Sequence, residues 1–469
     1  MLNFFNFKKF GNDYLLTNDT GKYMFINDRE FNSIVEHENI PDETLEKLKD
    51  NFFVYDEHSN IFTERIKWAI RDSKNYLFSS TSLHIFVLTN ICNMSCAYCQ
   101  AKDDTNIVYH KMTKETAEKS VDLALSSPSR FLTFEFQGGE PLANFEVLKH
   151  IVNYTEKHKK GKNVSYSIVT NLSLLTEEIL DYLIENNINI STSLDGDNNL
   201  HNANRKFSNG EETFDIVTKK IKEIQAKNYE VGAIQTTTKQ SLSKAKEIID
   251  TYVDLNQTSI FIRPLTRLGT ADRVWNYIGY SPEEFLKFYE ECLKYMIKLN
   301  NSGVDICERH AVIFLRKILQ GYSENYMELR SPCGATVGQV AYFYDGNIFT
   351  CDEGRMLYEM GNDAFKLGNV FENTYDDIVQ SPVCKAVCVA SLLEGQIKCC
   401  DCVYQPYCGT CPVVNLAQEK DLFFKNHNSY RCKIYGVMLD IIFKILYENN
   451  NEEINVFKKW IGAECNEET

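Results

Sequence analysis

The chain has 469 residues, of which 43% are hydrophobic and 25% charged, a composition typical of a globular protein with more than one domain. Its net charge of −15 disfavours nucleic acid as a partner and favours a neutral or basic peptide. We expect neither a secretory signal nor a membrane span, because no stretch approaches the roughly 20 apolar residues of such a span. The 16 cysteines are therefore expected to be reduced thiols in the cytoplasm, where short spacings between them indicate metal ligands.

Residues 1–75 are predicted to form a small α+β module of their own. Short apolar pieces, DYLLTN and GKYMFIN, flank a turn-like NDTG, and helical stretches follow near REFNSIVEH and DETLEKLKD. This pattern predicts a hairpin followed by small helices. An edge strand of the hairpin could bind a peptide by strand addition, and a plain structural cap is the alternative.

Residues 80–270 alternate between strand and helix patterns. The predicted strands are Leu83–Leu88, Phe131–Gln137, Val164–Thr170, Ile188–Leu194, Val231–Thr236 and Ser259–Pro264. The predicted helices between them are Lys114–Ser126, Phe145–His158, Thr176–Asn186, Phe214–Lys227 and Ser243–Asp254. Six such units predict a parallel sheet covered by helices, either open or closed into a partial barrel, with its chemistry at the carboxyl ends of the strands.

The rest of the chain divides into three regions. Residues 271–330 have a helical pattern and are predicted to link two domains. Residues 331–440 are rich in cysteine and are predicted to form a metal-binding domain. Residues 441–469 are predicted to form a C-terminal helix and an acidic tail that is frayed after residue 450.

Three cysteines follow the first strand of the alternating region, in the stretch CNMSCAYC. A loop at this place can hold Cys92, Cys96 and Cys99 around one corner of an iron–sulfur cubane, which leaves the fourth iron open to a cofactor or substrate. Taken alone, the same spacing also suits a zinc site.

The alternating region resembles the radical S-adenosylmethionine (SAM) superfamily. CNMSCAYC is similar to its cluster signature, FQGGEPL to its Gly-Gly-Glu-Pro motif, and IVTN, SLDG, HNANR and IRPLTRLG to segments after later strands. The resemblance implies a partial (β/α)6 barrel that binds SAM through Tyr98, Gly138, Gly139, Glu140, Asn171, Ser193 and Arg205. It also implies that the glycines let the backbone approach the methionine moiety. Glu140 would accept from the SAM amino group, and Arg205 would bind its carboxylate.

The later cysteines resemble the SPASM domain of peptide-modifying radical SAM enzymes. Gly346-x4-Cys351 and Cys399-x2-Cys402-x5-Cys408 fit its pattern, but the step from Cys408 to Cys411 is one residue short. The resemblance implies two auxiliary 4Fe–4S clusters besides the SAM-binding cluster, three in all. The outer cluster would be held by Cys399, Cys402, Cys408 and Cys432. The inner cluster would be held by Cys333, Cys351 and Cys411.

The fourth position of the inner cluster stays open between Cys384, Cys388, Cys400 and no protein ligand. A zinc-ribbon-like fold is the alternative for the whole region. Cys292 and Cys307 are expected to be ordinary helix cysteines, and Cys465 a tail thiol.

Asp352 directly follows a predicted inner ligand. A carboxylate at this place is a candidate general base, as the related formylglycine-forming maturases imply, and a purely supporting or solvated carboxylate is the alternative. Glu353 and Arg355 are weaker candidates in the same CDEGR stretch.

Together the resemblances imply an enzyme that modifies a ribosomally made peptide or protein. SAM would be cleaved reductively, and the 5′-deoxyadenosyl radical would take a hydrogen from a side chain that is then cross-linked or oxidised. The chain looks most like the B-type maturase of the His-Xaa-Ser peptide system, which implies a short substrate protein and a second radical SAM partner. Residues 10–65 resemble a leader-peptide recognition element, and a flavodoxin or ferredoxin is the expected reductant.

Two alternatives come from other classes. One is an anaerobic sulfatase maturase that forms formylglycine, which the mass of the product would distinguish. The other is a non-catalytic iron–sulfur protein that transfers electrons, and intact SAM motifs argue against it.

Overall fold

The computed structural model describes residues 1–36, 40–55, 60–102, 108–321 and 327–462. The predicted tail thiol, Cys465, lies outside the described residues. No helix in these ranges is both long and apolar enough to cross a bilayer.

The N-terminal module has a three-stranded antiparallel sheet, one strand more than the predicted hairpin. Its strands, in spatial order, are β1 (Asn6–Phe10), β2 (Asp13–Thr17) and β3 (Tyr23–Asn27). Its helices are α1 (Asp28–Val35), α2 (Asp42–Asp50) and α3 (Asn60–Ser73). Leu16, Phe31 and Leu48 are among the residues of a small hydrophobic core that belongs to this module alone.

The remaining strands are β4 (Leu83–Val87), β5 (Met94–Cys96), β6 (Phe131–Gln137), β7 (Asn163–Val169), β8 (Ile188–Ser193), β9 (Arg205–Phe207), β10 (Val231–Thr236), β11 (Ser259–Arg263), β12 (Cys307–Glu308), β13 (Gln339–Tyr342), β14 (Asn347–Phe349) and β15 (Lys366–Asn369). The remaining α-helices are α4 (Lys114–Leu125), α5 (Phe145–His158), α6 (Glu177–Glu185), α7 (Asn198–Asn204), α8 (Phe214–Ala226), α9 (Ala245–Asp254), α10 (Thr270–Arg273), α11 (Trp275–Ile278), α12 (Pro282–Asn301), α13 (Arg309–Leu315), α14 (Asp352–Glu359), α15 (Tyr375–Gln380), α16 (Pro382–Ser391), α17 (Pro412–Glu419), α18 (Tyr430–Glu448) and α19 (Asn451–Gly462).

The central sheet has the order β12-β11-β10-β8-β7-β6-β4-β13-β14-β15. Pairing is parallel from β12 to β13 and antiparallel from β13 through β15. The six predicted strands therefore lie side by side in chain order, each followed by a crossover. Within the described residues the sheet ends at β12 and β15, so this is the predicted partial barrel and not a closed one.

Alternation within β6 shows how the sequence separates core from cleft. Phe134 and Phe136 are buried in the main hydrophobic core with residues of α4 and α5. Glu135 and Gln137 alternate with them and point to the opposite face, where they line a cleft. A strand of this kind tolerates carboxylates only because that face opens to a polar space.

β13 joins the cysteine-rich region to the barrel. It pairs with β4 in parallel, with Gln339 opposite Leu83 and Tyr342 opposite Phe86. The central sheet thus runs without a break from residues 80–270 into residues 331–440.

Two predictions from the sequence are wrong. Cys307 lies in β12 and not in a helix, while Cys292 lies in α12 as expected. The segment after residue 450 is not frayed up to Gly462, because Val456, Phe457 and Trp460 form the buried face of α19.

Candidate active site

The carboxyl ends of the barrel strands surround a cleft of about 430 Å³. It brings together these predicted residues: Cys92, Cys96, Tyr98, Cys99, Gly138, Gly139, Asn171, Ser193, Arg205 and Asp352. Glu140 is the predicted SAM-binding residue that does not line it. The cleft therefore unites the first cysteine loop with a carboxylate from the cysteine-rich region.

The Gly-Gly-Glu turn holds the start of the cysteine loop. Gly139 N donates to Thr89 O at 2.8 Å, and Glu140 N donates to Ile91 O at 2.7 Å. A Cβ at Gly138 would lie 2.3 Å from Thr89 O, and one at Gly139 would lie 2.4 Å from Ile91 O. Both glycines are thus required by close contact between two loops, a reason that differs from the predicted approach to methionine.

A short antiparallel ribbon fixes the middle of the cysteine loop. β5 pairs with β9 so that Cys96 lies opposite Arg205, and Ala97 N donates to Asn204 O at 2.8 Å. The CNMSCAYC and HNANR stretches therefore fold as one unit, and Arg205 is held next to the three thiols.

Arg205 belongs to a buried network that includes Tyr98 and Asp195. Arg205 Nη1 donates to the Tyr98 hydroxyl at 2.8 Å, and that hydroxyl donates to the Asp195 carboxylate at 2.8 Å. Arg205 Nε is buried and has no partner among the described residues. A guanidinium that lines the cleft with an unused donor suits an anionic ligand such as a carboxylate.

Glu140 is buried beneath the cleft. Its carboxylate accepts from Leu142 N at 3.1 Å, Thr170 Oγ1 at 2.6 Å and Asn171 N at 2.8 Å. Burial raises its pKa, and these hydrogen bonds oppose that shift. Glu140 therefore connects the ends of β6 and β7 through hydrogen bonds. The predicted contact between Glu140 and the SAM amino group stays a prediction.

The three thiols of the first loop fit an iron–sulfur cluster by their chemistry. They face one cleft, and burial raises the pKa of Cys92 to about 11 and of Cys99 to about 12. Ligation must therefore displace protons from neutral thiols at pH 7. Among the described residues, no three His, Cys, Asp or Glu side chains converge closely enough to hold a single metal ion.

Asp352 is the first residue of α14 and lines the same cleft as the three thiols. Arg355, which is 2% exposed, donates through Nε to Asp352 at 2.7 Å and through Nη2 to Gln137 at 3.4 Å. Gln137 in turn donates to Glu135 at 2.5 Å. Burial raises the pKa of Glu135, and the nearby charge of Asp352 raises it further.

The predicted inner ligands lie together behind α14. Cys333, Cys351 and Cys411 pack in one buried cluster. Cys351 caps α14, and its sulfur accepts from Gly354 N at 3.3 Å. Burial raises the pKa of Cys333 to about 11 and the pKa of Cys411 as well, with a further contribution from the charge of Glu353.

The predicted outer ligands also lie near one another. Burial raises the pKa of Cys408, and the charges of Cys432, Cys402 and Cys399 raise it further. The N-terminal module touches this site directly, because Asn6 Nδ2 donates to the carbonyl oxygens of Cys400 and Cys402 at 3.2 and 3.1 Å.

Sequence reasoning missed the cleft carboxylate of Glu135 and the buried carboxylate of Asp195, and it undervalued Arg355. Glu135 was detectable as a polar residue that alternates with phenylalanines in a central strand, and Asp195 as the third residue of SLDG. Asp352 lies only three residues before Arg355, but the contact of Arg355 with Gln137 carries no local signal, because 218 residues separate the two.

A comparison with family models agrees with this geometry. Residues 86–251 match the model described as the radical SAM superfamily. Residues 86–251 are therefore a radical SAM domain, which supports an enzyme that uses SAM as its cofactor.

Individual relatives refine the comparison. A cysteine-type anaerobic sulfatase-maturating enzyme of Clostridium perfringens is 27% identical over 312 residues, which cover 64% of this chain and 80% of the relative. The solved structure of native anSMEcpe with bound AdoMet has a TM-score of 0.69 at 22% identity and covers 81% of this chain and 99% of that one. Streptococcus suis SuiB bound to precursor peptide SuiA has a TM-score of 0.54 at 17% identity and covers 91% and 98%. These likenesses confirm the fold.

Proposed function

We propose that this enzyme modifies a side chain of a ribosomally made peptide or small protein, by hydrogen abstraction followed by cross-linking or oxidation. The observation that carries the proposal is the shared cleft, which the three thiols and Arg205 line together with Asp352. When bound, the cluster and SAM supply a 5′-deoxyadenosyl radical that takes a hydrogen atom from the substrate. A proton acceptor in the same cleft suits the loss of a second hydrogen from the same side chain.

Each group of residues has a separate role. Cys92, Cys96 and Cys99 would hold the SAM-binding cluster, and Arg205 would bind the carboxylate of SAM. Asp352 would accept the substrate proton, while Arg355 orients its carboxylate toward the cleft. The two auxiliary cysteine sets would hold clusters that remove the electron left on the substrate.

A peptide substrate is supported by two of the similar proteins, one named as a sulfatase-maturating enzyme and one solved with a precursor peptide. The N-terminal module is proposed to bind the leader of such a precursor. Assignment to the His-Xaa-Ser system, with its second radical SAM partner, stays a prediction, as does reduction by a flavodoxin or ferredoxin.

Formylglycine formation is the second candidate, and the 27% identical relative favours it. The two reactions change the substrate differently. A cross-link removes two hydrogens, whereas conversion of cysteine to an aldehyde also exchanges sulfur for oxygen. A hydrazide reagent captures the aldehyde and leaves a cross-link unlabelled.

The first test is anaerobic reconstitution of the full chain, followed by incubation with dithionite, SAM and small proteins encoded beside its gene. We expect 5′-deoxyadenosine and a modified peptide from the wild type, and neither from Cys96→Ala. A fully loaded wild type that forms no deoxyadenosine with any of these peptides or with a sulfatase peptide would contradict the proposal.

Replacement of Asp352 by asparagine tests the general base. We expect product to fall on the order of a hundredfold or more, while deoxyadenosine still forms, because the variant removes only the proton acceptor. Liquid chromatography with mass spectrometry measures both products in one sample. Glu359→Gln, at the other end of α14 and outside the cleft, is the matched control. Equal product yields from Asp352→Asn and wild type would rule out this role.

A further inference from the structure

We infer that Glu135 determines part of the substrate specificity, by binding a lysine or arginine side chain of the peptide segment that enters the cleft. The inference rests on the proposed function, since that proposal brings a peptide to this cleft. It adds the class of side chain that is recognised and the residue that recognises it. Its basis is a carboxylate that lines open space and forms no ion pair.

Glu135 lies in the middle of β6, a central strand of the sheet. Its register partners are Ile85 of β4 on one side and Ser167 of β7 on the other. Ile85 belongs to a buried apolar cluster, whereas Ser167 lines the cleft together with Glu135. Paired residues on neighbouring strands share a face of the sheet. The carboxylate therefore stands between an apolar wall and the open cleft.

Small residues keep the cleft open on that side of Glu135. Four cleft-lining positions on neighbouring strands carry serine or glycine, namely Ser167, Ser191, Gly232 and Ser259. Ser191 and Gly232 are register partners, and a Cβ added at Gly232 would come no closer than 4.0 Å to another part of the chain. Larger side chains at these positions would fill the space. The cleft thus has room for a long, unbranched side chain to reach Glu135.

The Glu135 carboxylate has hydrogen bonds but no ion pair among the described residues. Gln137 Nε2 donates to Oε1 at 2.5 Å, and Ser167 Oγ donates to Oε2 at 3.5 Å. Both partners are neutral. The nearby charge of Asp352 disfavours the ionised form of Glu135, so a cation bound beside it would stabilise that form.

The arginines that line the cleft have partners or neighbours other than Glu135. These pairs are Arg205 with Tyr98, Arg263 with Glu328, Arg309 with the Phe261 ring, and Arg355 with Asp352. The charge of Arg263 also reaches Glu135 and opposes the effect of Asp352, without forming an ion pair. Within the described chain, a basic side chain of the substrate would be the first cation in direct contact with Glu135.

A basic side chain suits this part of the cleft better than a neutral or acidic one. Its aliphatic stem would lie along the serine and glycine positions, and its N–H groups would donate to the carboxylate. An acidic side chain would instead meet the negative charges of Glu135 and Asp352, and a neutral one would leave the carboxylate without a counter-ion.

The test compares blocked tripeptides, acetylated at the N-terminus and amidated at the C-terminus. Their central residue is lysine, arginine or norleucine, which has an unbranched side chain like that of lysine but no ammonium group. Anaerobic equilibrium dialysis measures the Kd of each peptide for the reconstituted full chain with SAM. We expect at least one basic peptide to bind roughly tenfold or more tightly than the norleucine peptide, since charge-assisted hydrogen bonds are strong.

Two variants locate the preference. Glu135→Gln keeps the size of the side chain and removes its charge, so the preference for a basic peptide should disappear while the Kd for SAM stays that of the wild type. Glu359→Gln, outside the cleft, should keep the preference. This control also accounts for the general attraction of cations to a chain of net charge −15.

Two results would overturn the inference. One is a wild type that binds neither basic peptide more tightly than the norleucine peptide, and the other is a preference that survives in Glu135→Gln. Because the peptides bind without turnover, this outcome is separate from that of the deoxyadenosine assay, which tests the proposed function.

Discussion

The hydroxyl of Tyr98 connects the buried charges of Arg205 and Asp195 beside the first cysteine loop. It accepts from Arg205 and donates to Asp195, and all three side chains are buried. Burial raises the pKa of Asp195, and the charge of Arg205 opposes that rise. Such a network fixes the position of Arg205 only while each member is satisfied.

Tyr98→Phe should weaken SAM binding without unfolding the chain. A hydrogen bond to a charged group is worth about 1.5–3 kcal/mol, so we expect the Kd for SAM to rise roughly tenfold or more. Equilibrium dialysis with the reconstituted protein measures this. Tyr252→Phe is the control, because Tyr252 is buried nearby but donates to the carbonyl of Leu194. An unchanged Kd after Tyr98→Phe would show that Arg205 needs no such positioning.

At the scale of residues, the sequence predicted the site residues that a short local motif identifies. Cys92, Cys96 and Cys99 are recognisable by spacing, and Gly138 and Gly139 by the turn that they form. The contacts that a residue makes with distant partners could not be predicted in this way. Glu135 acquires its meaning only when the fold places it near Asp352, over 200 residues later in the chain.

Two loops in close contact make the Gly-Gly-Glu turn sensitive to a single methyl group. Gly139→Ala would place a Cβ 2.4 Å from a backbone oxygen of Ile91, so the cysteine loop must shift. We expect loss of iron from the first cluster, measured as iron content and as deoxyadenosine formation. Gly436→Ala, in open space on α18, should leave both unchanged, since alanine is favoured over glycine in a helix. Full iron content in Gly139→Ala would contradict this account.

Glu308 is fully buried and caps the N-terminus of α13. Its ionisation makes the free energy of unfolding depend on pH in a predictable direction. Burial raises its pKa from 4.5 to about 7, against opposing hydrogen bonds that include one from Tyr289 at 2.5 Å. The folded chain therefore binds more protons than the unfolded chain between pH 4.5 and 7. The stability that comes from this group is full below pH 4.5 and is lost as the pH rises through about 7.

Glu308→Gln should remove this part of the pH dependence. Thermal midpoints of the anaerobic holoenzyme, measured from pH 5 to 8, should fall more steeply with rising pH in the wild type than in the variant. Glu284→Gln, an exposed carboxylate at the start of α12, is expected to keep the slope of the wild type. Parallel plots of thermal midpoint against pH for wild type and Glu308→Gln would show that Glu308 is not the source of this pH dependence.

At the scale of elements, periodicity predicted the barrel well, and β6, β10 and α5 have the predicted bounds. Short strands were not predicted, because their stability comes from tertiary pairing and not from a local sequence pattern. β12 has two residues, and β13 has four whose pattern is uniformly buried. α19 was missed because its acidic residues mask the spacing of Val456, Phe457 and Trp460.

At the scale of the whole molecule, the N-terminal module is attached to the outer cysteine loop. Asn6 donates to the carbonyl oxygens of Cys400 and Cys402, and Thr17 Oγ1 donates to Val403 O at 2.7 Å. A peptide bound to this module would thus be held by an element that itself contacts a proposed cluster site.

Asn6→Ala should loosen that cluster while the module stays folded. Two hydrogen bonds worth about 0.5–1.5 kcal/mol each are lost, so we expect faster iron release to a chelator under anaerobic conditions. Asn3→Ala is the control, because Asn3 donates only within the module, to Phe52 O. Equal release rates for the two variants would show that the contact does not support the cluster.

The pairing of β4 with β13 also sets an order of events during synthesis. Thr81 and Thr336, which flank this pair, are joined by a hydrogen bond across 255 residues. The ribosome therefore releases CNMSCAYC long before β4 gains its second neighbour, and in that interval one edge of β4 presents unpaired backbone groups to other chains. Delivery of iron to a finished barrel must wait until nearly three quarters of the protein has been made.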